Sequence, residues 1–176
     1  TLNYIEDAAF ADFDLNGTLD GVITATEGLN KDVTVHARAH NGRWIGKALP
    51  GDHQLWMQVR ATDINGDGCA DIVAGTKISI PGCVDDVLED PCALCDEFNV
   101  VCGRYGGVWW WECPKVDGVC GPFGRKFSDP DPKMDLSRWN KRRIKRDLSW
   151  VMGIELTDMD GDGDNDVLVS DRIMIG

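Results

Sequence analysis

The chain has 176 residues, 43% of them apolar, which is enough for one buried core and too little for two large domains. No run approaches the roughly 18 apolar residues of a membrane span, and 18 basic against 30 acidic side chains, a formal net charge of −12, argue against nucleic acid as a partner. The acids are 24 Asp and only 6 Glu, and with 20 Gly they point to turns, caps and hard-metal sites joined by strands, not to a helical bundle.

In chain order, the first element is an acidic loop, Asp12 to Asp20 (DFDLNGTLD), followed at once by the apolar run Gly21 to Ala25. Val33 to Arg38 alternates apolar and polar residues, the period of a half-buried strand. Turn signals follow at Asn41-Gly42 and Pro50-Gly51, and Leu55 to Arg60 is rich in strand formers. A second loop, Asp63 to Asp71 (DINGDGCAD), leads into Ile72 to Gly75. Next come six cysteines within 38 residues, and a helical turn or two is expected near Val84 to Leu94. Arg138 to Arg146 then carries six basic residues in nine. A third loop, Asp158 to Asp166 (DMDGDGDND), precedes Val167 to Ser170.

The three loops are copies of one pattern. Each has Asp at position 1, Asp or Asn at 3 and 5, Gly at 6 and Asp at 9. Asp12 and Asp63 lie 51 residues apart, Asp63 and Asp158 lie 95 apart, and Trp44 and Trp139 each precede a loop by 19. A repeat of about 50 residues with one interrupted copy accounts for these spacings. The expected division is residues 1–80 for two repeats, 81–127 for a cysteine-rich insertion and 128–176 for the third repeat. Several short strands per repeat predict an all-β fold of about three β-propeller blades, each of four antiparallel strands. Known propellers need about four to eight blades. Both chain ends fall within repeats, so further blades are expected, from a longer chain or from neighbouring copies in an assembly.

The cluster of Cys83, Cys92, Cys95, Cys102, Cys113 and Cys120 reads as three disulfides in a self-contained, stapled excursion, and hence as a secreted or extracellular setting. A metal site or free thiols are the alternatives. Cys69 stands apart, its thiol either free or paired elsewhere. The chain begins at Thr1, and reads as a mature form, a processed piece or a fragment.

Oxygen-only ligands suit hard cations, and Ca²⁺ takes six to eight of them in flexible geometry. An EF-hand loop would need an acid at position 12; here that position is Ile23, Ala74 and Val169, inside strand-like runs. The pattern instead resembles the FG-GAP and VCBS repeats, the calcium-loop blades of integrin-α-like propellers. The resemblance rests on the three loops, their apolar followers and the Trp-to-loop spacing, and leaves out the cysteine insertion. It implies up to three Ca²⁺, with side-chain ligands Asp12, Asp14, Asn16 and Asp20, then Asp63, Asn65, Asp67 and Asp71, then Asp158, Asp160, Asp162 and Asp166. Thr18, Cys69 and Asp164 would offer backbone carbonyls. Loop one lacks the position-4 Gly and has Asn16 at position 5, and the Phe-Gly and Gly-Ala-Pro signatures are missing from the repeats, which favours the VCBS-like branch. The plain alternative is ion-free Asp/Gly turns, at the cost of like-charge repulsion.

The remaining features each carry two readings. Trp109, Trp110 and Trp111 form either a carbohydrate or partner platform or the insertion's own small core. Trp44, Trp56, Trp139 and Trp150 are expected to pack between strands. The basic run is either a solvated face or a surface for anionic polysaccharide or lipid headgroups. Asn16-Gly-Thr18 is formally a glycosylation sequon in competition with ion binding. No nucleophile elbow or zinc-protease motif is present, and His36, His40, His53 and Tyr105 are scattered. The expectation is a non-catalytic extracellular segment with a binding, adhesion or structural role toward a protein or carbohydrate ligand; the alternative is a propeller-type lyase or hydrolase acting on polysaccharide.

Overall fold

The computed structural model describes residues 4–13, 17–27, 32–39, 41–50, 56–77, 106–115, 118–122, 134–148 and 150–171. The expected helical turn near Val84 lies outside these, and no helix occurs among the described residues. Within the described residues ten strands form three antiparallel sheets. The first is an up-and-down meander of β1 (Tyr4–Ala11), β2 (Gly21–Glu27), β3 (Val33–Arg38) and β4 (Trp44–Ala48). The second is a meander of β5 (Trp56–Thr62), β6 (Asp71–Thr76), β7 (Gly106–Glu112) and β8 (Asn140–Leu148). The third pairs β9 (Val151–Thr157) with β10 (Asp166–Asp171).

Local chemistry explains the strands. In β3, Val33, Val35 and Ala37 are buried while Thr34 and His36 are half-buried, as the alternation predicts. The β3–β4 turn uses Asn41-Gly42 as expected: Gly42 sits at φ 83°, a value other residues rarely adopt, and its N–H donates to the Ala39 carbonyl at 2.8 Å. β6 is buried at every residue, because it lies inside the middle sheet with a neighbour on each face.

The sheets stack face to face. Ile23, Ala25, Val33 and Val35 of the first sheet meet Trp56, Val59, Ile72, Ala74, Trp109 and Trp111 of the second in one large core. The opposite face of the second sheet, through Val73 and Val108, packs on Val151 and Ile154 of the third. Gly75 makes that second contact possible, since a Cβ there would fall 2.4 Å from a Val151 methyl. β1 and β5 are cross-linked by Asp7, which accepts from the Val59 N–H at 3.0 Å and pairs with Arg60 at 2.6 Å. Beyond the stack, Tyr4, Ile5, Phe10 and Trp44 of the first sheet and Met152 and Leu168 of the third remain exposed.

Three expectations need correction. The cysteine-rich segment is not self-contained: β7 lies within it and pairs between β6 and β8, because Val108 to Trp111 is a buried strand sequence with two faces to fill. Consequently Trp109 and Trp111 belong to the main core, packed edge-on and tilted against Trp56 at centroid distances of 5.6 and 5.2 Å, and form no core of the insertion's own. Trp44, at 51% exposure, is not packed between strands as Trp56 and Trp139 are.

Candidate metal loops

Each acidic loop closes a hairpin between the first two strands of its sheet: β1 to β2, β5 to β6 and β9 to β10. The three share one internal hydrogen-bond frame. The position-1 carboxylate accepts the N–H of position 6, from Gly17 to Asp12 at 2.7 Å, Gly68 to Asp63 at 2.7 Å and Gly163 to Asp158 at 3.0 Å. The position-9 carboxylate accepts the N–H of position 2, from Phe13 to Asp20 at 2.8 Å, Ile64 to Asp71 at 3.3 Å and Met159 to Asp166 at 3.0 Å. The position-6 glycines have φ of 84°, 84° and 99°, left-handed values that explain why Gly stands there.

Loops two and three agree further. The N–H of position 5 donates to the side chain at position 3 at 3.2 Å in both, Asp67 to Asn65 and Asp162 to Asp160. The N–H of position 7 donates to the carboxylate at position 5, Cys69 to Asp67 at 2.8 Å and Asp164 to Asp162 at 2.9 Å. Asp14 and Asn16 of loop one lie outside the described residues.

In loop three, Asp158, Asp160 and Asp166 each offer a carboxylate oxygen within 4.8 Å of the others, so this triad could hold a metal ion. All three side chains, and those of Asp162 and Asp164, are exposed. Such a donor set is all oxygen, which suits a hard cation. Loop two is set differently. Asp71 is fully buried and accepts the Cys113 N–H at 2.7 Å besides that of Ile64. Burial pushes its carboxyl up to about 6 against the lowering effect of those two bonds, with the Asp67 charge adding to the rise. Lys115 donates to the Asp67 carbonyl at 2.6 Å, and Asn65 donates to Glu112 at 3.3 Å.

The loops gather at one end of the stack. Loops one and two line an open groove of about 420 Å³ that includes Phe10, Asp12, Leu19, Asp63 and Cys69. Asn165 of loop three donates to the Asp63 carbonyl at 2.8 Å and joins loops two and three. The segment after β7 straps the first two: Gly121 packs on Phe13, and Cys120 is bonded to Cys69 with a Cα–Cα distance of 5.4 Å.

That disulfide corrects the cysteine reading. Cys69 is not left over but joins Cys120, so three bridges confined to the six clustered cysteines cannot form. Cys113 is a buried free thiol, pushed up to about 12 chiefly by burial, with its sulfur accepting the Gly121 N–H at 3.2 Å. Cys83, Cys92, Cys95 and Cys102 lie outside the described residues. Spacing alone does not show the pairing, because only the fold brings position 7 of loop two beside the strap.

Other residues near the loops had weaker sequence signals. Position 2 is apolar in all three loops, but its burial differs: Phe13 is wholly buried, Ile64 is partly buried against the second core cluster, and Met159 is 65% exposed. Lys115, Glu112 and Asn165 carried no signal. Among the histidines, His36 lies half-buried over Gly46 and near the Thr24 hydroxyl at 3.4 Å; His40, His53 and Tyr105 are outside the described residues. Among the described residues no helix is long and apolar enough to cross a membrane. A scan against protein-family models finds no match, and a search of curated proteins finds none either.

Proposed function

We propose that this chain is a segment of a calcium-stabilised β-propeller of the FG-GAP/VCBS type, acting outside the cell in binding or adhesion. The observation that carries the reading is the shared frame of the three loops, in which the position-1 and position-9 carboxylates are tied to N–H groups of their own loop at the same place in each sheet. Two four-stranded meanders, each with its loop between the first two strands, fit propeller blades, and β9 and β10 fit the start of another. Three Ca²⁺ would take the formal charge from −12 to −6 and relieve the repulsion among neighbouring carboxylates. The exposed Tyr4 and Ile5 of the first sheet and Met152 and Leu168 of the third are surfaces that further blades would cover. The Cys69–Cys120 bond fits an oxidising compartment.

A cation bound only by the folded form raises the melting temperature. Calorimetry in calcium and in excess EDTA, with ion counting by titration, tests the reading. Calcium should raise the melting temperature, and Asp160→Ala should remove one bound ion while Asp147→Ala, outside the loops, removes none. Identical melting in the two buffers would show that calcium is no part of the structure.

A further inference from the structure

The basic run falls on β8, an edge strand of the second sheet. Arg142, Arg143, Ile144 and Lys145 are exposed there, and Lys141 is half-buried. Register places Lys141 and Arg143 opposite Trp111 and Trp109, and Arg142 and Lys145 opposite Trp110 and Val108, with an irregularity at Ile144. The cations therefore flank both faces of one edge. β7, with Trp56 of β5, supplies their seats: Lys141 lies over Trp56, Trp109 and Trp111 at 5.5, 5.4 and 5.2 Å, Arg143 over Trp109 at 6.0 Å and Arg142 over Trp110 at 5.2 Å. Glu112 further fixes Arg142 at 2.6 Å, yet leaves that side chain 52% exposed. Among the described residues neither Arg143 nor Lys145 has an acidic partner.

Charged side chains on an edge strand also prevent edge-to-edge pairing, and for that purpose mobile lysines suffice. Here three successive cations rest on indole rings, which restricts their rotamers before any ligand arrives and lowers the cost of ordering them. Four cations in five residues of a chain with net charge −12 also make a local positive strip that attracts anions.

We propose that the β8 edge is a docking strip for a linear acidic polysaccharide, sulfated or uronate-bearing, with Arg142, Arg143 and Lys145 meeting its anionic groups. This names the ligand class of the binding role proposed above. The strip contains no loop carboxylate, so a chain that binds calcium as proposed yet ignores such a glycan would fail this inference alone.

The test is binding of the intact chain, in calcium buffer, to a heparin-derived oligosaccharide, to a uronate oligosaccharide and to single-stranded DNA of matched charge. At least one of the two glycans should bind reversibly and be displaced by salt; which one separates sulfate from carboxylate as the source of the charge. Arg143→Gln with Lys145→Gln should weaken that binding at least tenfold without moving the melting temperature by more than a degree or two. Arg43→Gln, which changes charge on the β3–β4 turn, should alter it less than twofold. Binding that survives the double substitution, no binding of either glycan, or equal binding of the DNA overturns the proposal.

Discussion

Loops two and three have the same nine-residue pattern and the same internal hydrogen bonds, yet they occupy opposite environments. Loop two is built into the core: Cys69 and Asp71 are wholly buried, the first bonded to Cys120 and the second holding the N–H at the start of the strap. Loop three projects from a two-stranded sheet with all five of its aspartates exposed. A turn motif is thus a local conformation that can serve as a structural joint or as an open site. The choice depends on what the rest of the chain lays over it.

The largest test of that contrast is the bridge. Replacing Cys69 and Cys120 by Ser should lower the unfolding free energy by about 4 kcal/mol, the loop-closure value for residues 51 apart. For a chain of this size that is on the order of 10 °C in Tm, readable by calorimetry. An unchanged Tm would show that loop two is no more anchored than loop three.

The position-9 carboxylates come next. In EDTA, Asp71→Ala leaves two amide donors without a partner, one of them buried, and should cost about 3 kcal/mol by urea titration. Asp166→Ala removes an exposed side chain that water can replace and should stay within about 0.5 kcal/mol. Equal costs would erase the distinction.

Cys113 sharpens the comparison from the side of the strap. Its thiol is buried and stays protonated, so the native chain should resist alkylation there under conditions that label it after denaturation. Rapid labelling in the native state would mean that the cover over loop two opens.

The smallest effect tests what the loops have in common. Gly68→Ala and Gly163→Ala each force a Cβ into a left-handed conformation, at φ 84° and 99°, and should each cost about 1 kcal/mol. Neither added Cβ meets an obstacle: the nearest atom to Gly68 is the Lys115 ammonium at 3.8 Å, and nothing lies within 4 Å of Gly163. Markedly different penalties would show that the burial of loop two reaches its backbone conformation as well.

The sequence by itself determined what depends on near neighbours. Alternation in Val33 to Arg38, the Asn41-Gly42 turn and the Asp/Gly spacing of the loops are local preferences of strand, turn and carboxylate. The all-β class and the position of each loop between two strands were therefore legible, as was the grouping of Asp158, Asp160 and Asp166. Only the tertiary structure decided what depends on residues far apart in the chain. Segment 106–112 reads as part of an insertion until β6 and β8 are seen to need a strand between them. Cys69 looks solitary until the strap brings Cys120 to it across 51 residues. The three tryptophans read in sequence as a platform or as the insertion's own core, because packing against Trp56 and seating the cations of β8 both require sheet register, which is set by pairing between strands and not by the residues within any one of them.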